Sequence, residues 1–255
     1  MRASNENTSA KTNASELRDR LRGLGLPVIL GRSVAREDDP EVNPVRLATP
    51  GLHDIAGERQ ADYAAALAFA LAGAHRAAKT SGGQALICQM ENSAFDHGAL
   101  YGPGLNSLGV EPGAFVIVST RSESDLLWCA EEALGCGDLA ALVLRLPSMP
   151  KKYTFVESRR LQLRALESSV LAYVVRGAPT RGAIAAETQW RIAPAPSLPS
   201  EYASKRILGV ARWQAALERA RTSRPRNWVM AWENETLRID MVEPVGDGPL
   251  LSRAS

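Results

Sequence analysis

Gly57 to Ala64 occupies the place where a phosphate-binding loop would do its chemistry. A short apolar run, Leu52–Ala56, reads as a strand, and Asp62–Lys79 reads as a long Ala-rich helix. Strand, turn and helix in that order make a nucleotide cradle when the turn reads G-x-x-x-x-G-K-[ST]. The glycines let backbone N–H groups wrap the phosphates, the Lys reaches the terminal phosphates, and the hydroxyl holds magnesium. Counted from Gly57, the second glycine position holds Asp62, the Lys position Tyr63 and the hydroxyl position Ala64. Glu58 and Asp62 also bring two carboxylates to a helix N-terminus, a place that otherwise attracts anions. Acids there cap the helix themselves and repel a triphosphate. This frame argues against nucleotide hydrolysis.

Other catalytic chemistry is sparse. His53, His75 and His97 have no metal-ligand spacing with Cys88, Cys129 and Cys136. His53 reads as structural, and Cys129, beside Trp128 on a helix face, reads as core filler. No Ser–His–Asp order suggests itself, although a spatial triad need not show in sequence. Ser158-Arg159-Arg160 is either a helix start turned toward a partner or solvated charge.

The strongest charge signal lies near the end of the chain. Between Ser204 and Arg226 there are seven basic residues (Lys205, Arg206, Arg212, Arg219, Arg221, Arg224 and Arg226) against the single acid Glu218. Trp213, Trp228 and Trp232 are interleaved with them or follow closely. Basic and aromatic residues together suit single-stranded nucleic acid or an acidic protein surface. The competing reading is a solvated hairpin whose charge discourages edge-to-edge aggregation.

These residues need elements to hold them. Residues 1–14 read as a polar lead. Ser15 is a candidate N-cap for a short amphipathic helix with Leu17, Leu21 and Leu24 on one face, packed on its own domain or on another chain. Residues 31–50, rich in proline, read as a linker. Next come strand candidates Gln84–Met90, Ala114–Ser119, Ala140–Leu146, Val170–Val175 and Ala186–Ile192. Between them lie helical segments at Tyr101–Leu108, Ser122–Leu134 and Lys151–Glu167. Continuous apolar strands alternating with helices predict an α/β fold, a largely parallel sheet covered on both faces. Trp213–Arg219 and Trp228–Glu233 read as a C-terminal antiparallel hairpin around a basic turn, and 241–255 as a frayed end. The expected organisation is therefore an N-terminal helix and linker (1–50), a core (51–200), and a basic hairpin and tail (201–255).

Bulk properties agree with this plan. The 255 residues are 45% hydrophobic and 23% charged, ordinary for a globular protein with a sizeable core. No apolar run approaches the ~18–20 residues that span a bilayer. The first residues lack the apolar centre of a secretory signal, and three cysteines without a C-x-x-C pair suit a reduced, cytoplasmic setting. The net charge of +2 is uninformative beside its distribution.

An ordered series of short motifs resembles the ImuA family, RecA-like accessory proteins of bacterial inducible mutagenesis. The motifs are Gly51-Leu-His-Asp-Ile55, Tyr101-Gly-Pro-Gly-Leu105, Leu108-Gly-Val-Glu-Pro112, Asp125-Leu-Leu-Trp-Cys-Ala-Glu-Glu-Ala-Leu134, Ser158-Arg-Arg-Leu-Gln-Leu163 and Trp190-Arg-Ile192, then Arg212-Trp213, Leu217-Glu-Arg219 and Trp228. The resemblance implies a RecA-like core and a damage-response role in error-prone translesion synthesis. The implied partners are RecA, the Y-family-polymerase-like protein ImuB and, indirectly, an alternative replicative-type DNA polymerase. A RecA-type ATPase ends the strand matching Ala140–Leu146 in a magnesium-organising Asp; Arg145 stands there and cannot coordinate a cation. Glu91 follows the second strand where such an ATPase carries its water-activating Glu. Without phosphate and magnesium sites it reads as a relic or a cap.

Three readings follow. The first is a non-catalytic adaptor, a pseudo-ATPase with no cofactor, whose blank nucleotide site is Gly57, Glu58, Asp62, Tyr63, Ala64, Glu91 and Arg145. Its candidate binding residues are Leu17, Leu21 and Leu24, together with Arg212, Trp213, Arg219, Arg221, Arg224, Arg226 and Trp228. The second is an ATP-dependent RecA-like enzyme with an unusual site. The third is a DNA-binding regulator of the damage response acting through the basic tail.

Overall fold

The apolar runs of the sequence become the strands of one nine-stranded sheet. The computed structural model describes residues 49–93, 97–147, 149–179, 182–196, 211–221, 224–233 and 238–245. The chain divides into two units, Met1–Pro44 and Val45–Ser255, and every described residue belongs to the second. The stretch around Leu17, Leu21 and Leu24, as well as Lys205 and Arg206, lies outside the described residues.

In chain order the elements are β1 (Gly51–Gly57), a 3-10 turn (Gln60–Asp62), α1 (Tyr63–Ser81), β2 (Gln84–Met90), α2 (Gly102–Ser107), β3 (Phe115–Thr120), α3 (Glu123–Ala133), β4 (Leu139–Arg145), α4 (Phe155–Glu167), β5 (Leu171–Arg176), β6 (Thr188–Ala195), β7 (Arg212–Ala220), β8 (Arg226–Glu233) and β9 (Arg238–Val245). The sheet order is β3-β2-β4-β5-β1-β6-β7-β8-β9. The strands from β3 to β6 in that order pair in parallel, and β7, β8 and β9 continue from β6 antiparallel. β1, which leads into the blank loop, is held between β5 and β6.

Alternation along each inner strand sends successive side chains to opposite faces. One face is covered by α1, whose Tyr63, Leu67, Ala70 and Leu71 are buried against Ile55, Ile87, Val143, Val175 and Trp190. The other face is covered by α3 and α4, whose Leu126, Leu127, Ala130 and Leu161 are buried against Leu52, Leu142, Leu144 and Val174. Local chemistry sets the helix ends. Gly82, at φ +73°, closes α1 in the left-handed conformation that glycine adopts without strain. The Ser122 hydroxyl accepts the backbone N–H of Asp125 to cap α3.

Three boundaries differ from the sequence reading by more than two residues. α4 begins at Phe155 rather than Lys151, because Thr154 and Glu157 form a capping box there. Ser158-Arg159-Arg160 therefore lies inside the helix and is not its start. β6 runs on through Pro194. Past Ile192 β1 no longer pairs with it, and a strand with one neighbour tolerates proline. Residues 238–245, read in part as a frayed end, pair with β8 as a ninth strand. Among the described residues no helix is long and apolar enough to cross a membrane.

Candidate functional site

The turn after β1 is closed by its own chain. Asp62 folds back so that one carboxylate oxygen accepts the backbone N–H and Nε–H of Arg59, both at 3.1 Å, and the other accepts its terminal N–H at 3.2 Å. In return Asp62 donates its backbone N–H to the Arg59 carbonyl at 2.9 Å. The Glu58 N–H goes to the Ile192 carbonyl at 2.9 Å, and that of Tyr63 to the Gln60 carbonyl. A phosphate cradle works by aiming unsatisfied N–H groups at the anion. Here the N–H groups of Glu58, Arg59, Asp62 and Tyr63 all have protein acceptors. Gly57 is kept for packing: a Cβ on it would lie 2.6 Å from the Arg59 carbonyl oxygen and 2.7 Å from that of Gly177. Ala64 is exposed at the start of α1 and offers no hydroxyl.

Tyr63 and Arg145, called out separately in the sequence, meet beneath this turn. Arg145 ends β4 on the α1 side and is 1% exposed. Its Nε–H donates to the Tyr63 hydroxyl at 3.1 Å, one terminal nitrogen to Gln89 Oε1 at 2.6 Å, and the other to the Gly98 carbonyl at 3.1 Å. The ring of Tyr63 stacks on His97 with centroids 3.6 Å apart. At the two positions that the sequence reading aligned with a magnesium-organising Asp and a phosphate-binding Lys, the chain therefore carries a buried guanidinium and an aromatic ring bonded to each other. Gln89, His97 and Gly98 complete the cluster. Sequence reading missed all three as partners, although a buried Arg must find acceptors and a Gln at the end of the adjacent strand supplies one.

Glu91 is not part of this cluster. Its side chain is 56% exposed and pairs with Arg121 at 3.4 Å. The residues of the degenerate site therefore fall into three settings: the self-closed turn of Glu58 to Asp62, the buried Tyr63–Arg145 pair, and the outlying Glu91. This set does not fit magnesium and a triphosphate.

Two further buried polar groups brace β1. Asp54 receives a forked pair of bonds from Arg176 at 2.8 and 2.5 Å, and the two residues are 1% and 5% exposed. Burial and this carboxylate act in opposite directions on Arg176, with the net direction upward. The Tyr153 hydroxyl, buried nearby, makes no hydrogen bond; burial, with Asp54 adding to it, raises its pKa. His53 is fully buried: Nε2–H donates to the Thr49 carbonyl at 2.9 Å, and Nδ1 meets the Thr188 hydroxyl at 2.7 Å. Burial pushes its pKa down to about 4, so the ring is neutral and structural. Among the described residues no group of three or more His, Cys, Asp or Glu is placed to hold a metal.

The basic tail separates into an inside and an outside. Trp213 and Trp228 are 3% and 4% exposed and pack in the core with Phe69 and Trp190. They cannot stack on bases, which corrects the sequence reading of both as binding residues. Arg219, Arg221, Arg224 and Arg226 are exposed, while Arg212 is half-buried and donates to the Pro196 carbonyl at 3.3 Å. Arg221 also pairs with Glu187 at 3.8 Å.

No family model matches the chain. Protein ImuA of Caulobacter vibrioides, in each of two strains, is 32% identical over 141 residues, covering 51% of this chain and 55% of ImuA. The chain spans about half the length of the curated relatives it matches. Over that stretch the chain is similar to Protein ImuA, the family whose motif order the sequence resembles.

Proposed function

We propose that this protein is a non-catalytic accessory factor of damage-induced, error-prone translesion DNA synthesis. It acts by presenting protein-binding surfaces on a RecA-like core, and it is cytoplasmic. Its partners are an ImuB-type relative of Y-family polymerases and RecA, with an alternative replicative-type polymerase reached through the first. The observation that carries the non-catalytic reading is the buried Arg145–Tyr63 contact under a turn in which the N–H groups of Glu58, Arg59, Asp62 and Tyr63 already have protein acceptors. Similarity to Protein ImuA over about half of the chain supports the mutagenesis role. Co-purification of the full chain with an ImuB-type protein and with RecA, with masses measured, tests the proposal. A stoichiometric complex with either is expected; binding to neither contradicts it.

A second reading has one observation in its favour. Arg219, Arg224 and Arg226 are exposed near the turn between β7 and β8, where they suit contacts with phosphates. With the tryptophans buried, DNA binding there is electrostatic alone, so affinity falls steeply with salt. A gel shift unchanged when Arg221, Arg224 and Arg226 are neutralised rules against it.

A further inference from the structure

The face of the sheet opposite the Tyr63–Arg145 cluster is covered by α3 and α4, whose outer sides are unusual. The two helices run side by side in the same direction, because each crosses back between parallel strands, β3 to β4 and β4 to β5. Near their starts, Glu123 accepts the backbone N–H groups of Lys151, Lys152 and Tyr153. Farther along, Arg160 midway in α4 bonds Glu131 in the last turn of α3 at 2.5 Å. These ties put Trp128 on α3 at the level of Phe155 and Val156 on α4, and Glu132 at about the level of Arg159.

The outward side of a surface helix is normally polar. Here Trp128 is 64%, Phe155 48% and Val156 60% exposed. Charge divides between the helices. α3 presents Asp125 and Glu132 on either side of Trp128, while α4 presents Arg159 one turn past Phe155. Neither Glu132 nor Arg159 has an ion-pair partner among the described residues. One helix thus offers an aromatic between acids, and the other offers apolar side chains beside a cation. A uniformly charged partner, whether nucleic acid or acidic peptide, would meet repulsion from one helix or the other. The face is complementary to itself.

We propose that this face is a two-fold interface between copies of this chain. Rotation by a half-turn about an axis parallel to the helices lays α3 of each copy over α4 of its partner. Trp128 then covers Phe155 and Val156, and Glu132 faces Arg159; each contact occurs twice, as in any isologous pair. Two helices of 11 and 13 residues give a footprint of about 400 Å² per copy, half of the ~800 Å² typical of stable complexes. The dimer is therefore weak, with Kd in the range of roughly 10–100 μM. The proposal does not depend on the blank nucleotide site, which lies on the other face.

Sedimentation equilibrium of the full chain between about 1 and 200 μM tests it, a range that brackets the expected Kd. Wild type is expected to shift from monomer to dimer. Arg159→Glu and Glu132→Arg each place like charges opposite one another twice, and each variant alone is expected to stay monomeric. Mixed in equal amounts, the two variants restore opposite charges at both contacts and return the dimer mass. Circular dichroism melts matching wild type show that these surface variants fold. A wild type that stays monomeric, single variants that dimerise as wild type does, or a mixture that stays monomeric overturns the proposal. A monomeric wild type that captures an ImuB-type protein, with capture lost on Trp128→Glu, also overturns it by assigning the face to another partner.

Discussion

Arg145→Ala tests whether the buried Tyr63–Arg145 cluster holds the fold together. The guanidinium is 1% exposed and supplies three donors to neutral acceptors: Tyr63, Gln89 and Gly98. Bonds from a charged donor contribute about 1.5–3 kcal/mol each, and removing the donor leaves buried acceptors unsatisfied. Deleting the side chain also empties volume beneath α1, at a cost of about 2 kcal/mol or more. Against this, no ion pair compensates the buried cation among the described residues, so its removal relieves a desolvation penalty of several kcal/mol. The balance is a loss of about 3–5 kcal/mol, which lowers the melting temperature by roughly 10 °C for a domain of this size. Thermal unfolding followed by circular dichroism measures it. Tyr63→Phe alone is expected to cost about 1 kcal/mol, and the double variant should show coupling of similar size because the two groups touch. Arg145→Ala melting within about 2 °C of wild type, or strict additivity in the cycle, would show that the cluster does not stabilise the fold in this way.

Other outcomes follow from the buried polar groups around β1. His53 has its pKa lowered to about 4 from an ordinary 6.5, so protonation favours the unfolded chain. Its stabilising effect is complete above pH 6.5 and declines toward pH 4, a loss of about 3 kcal/mol at about 1.36 kcal/mol per pH unit. Urea unfolding across that window should be flatter for His53→Phe than for wild type; equal slopes contradict this. Asp54→Ala leaves the Arg176 cation buried and unpaired, at an expected cost of about 3–5 kcal/mol in the same assay. Tyr153→Phe removes a buried hydroxyl that makes no hydrogen bond, so stability should hold or rise by up to about 1 kcal/mol. A clear loss would show that the hydroxyl is satisfied.

The inner sheet was legible because parallel strands covered on both faces must be continuously apolar. The sequence places β2 at Gln84–Met90, the bounds the strand has. Side-chain partners drawn from distant segments were not legible. Arg145 finds Gln89 and Gly98 on other parts of the chain, and Asp54 meets Arg176 across 122 residues. Two signals were present and overlooked. Thr154 with Glu157 is a capping box, and it fixes where α4 starts. Along β7, Trp213 and Ala215 alternate with Arg212 and Gln214, and that period of two already puts the tryptophan inside.

A turn after β1 that is filled by protein, as proposed, has no room for a nucleotide. Isothermal titration of the full chain with ATP and magnesium addresses it most directly. No heat of binding is expected at concentrations up to about 1 mM, equivalent to a binding free energy weaker than about −4 kcal/mol. Saturable micromolar binding that disappears on Asp62→Arg would contradict it.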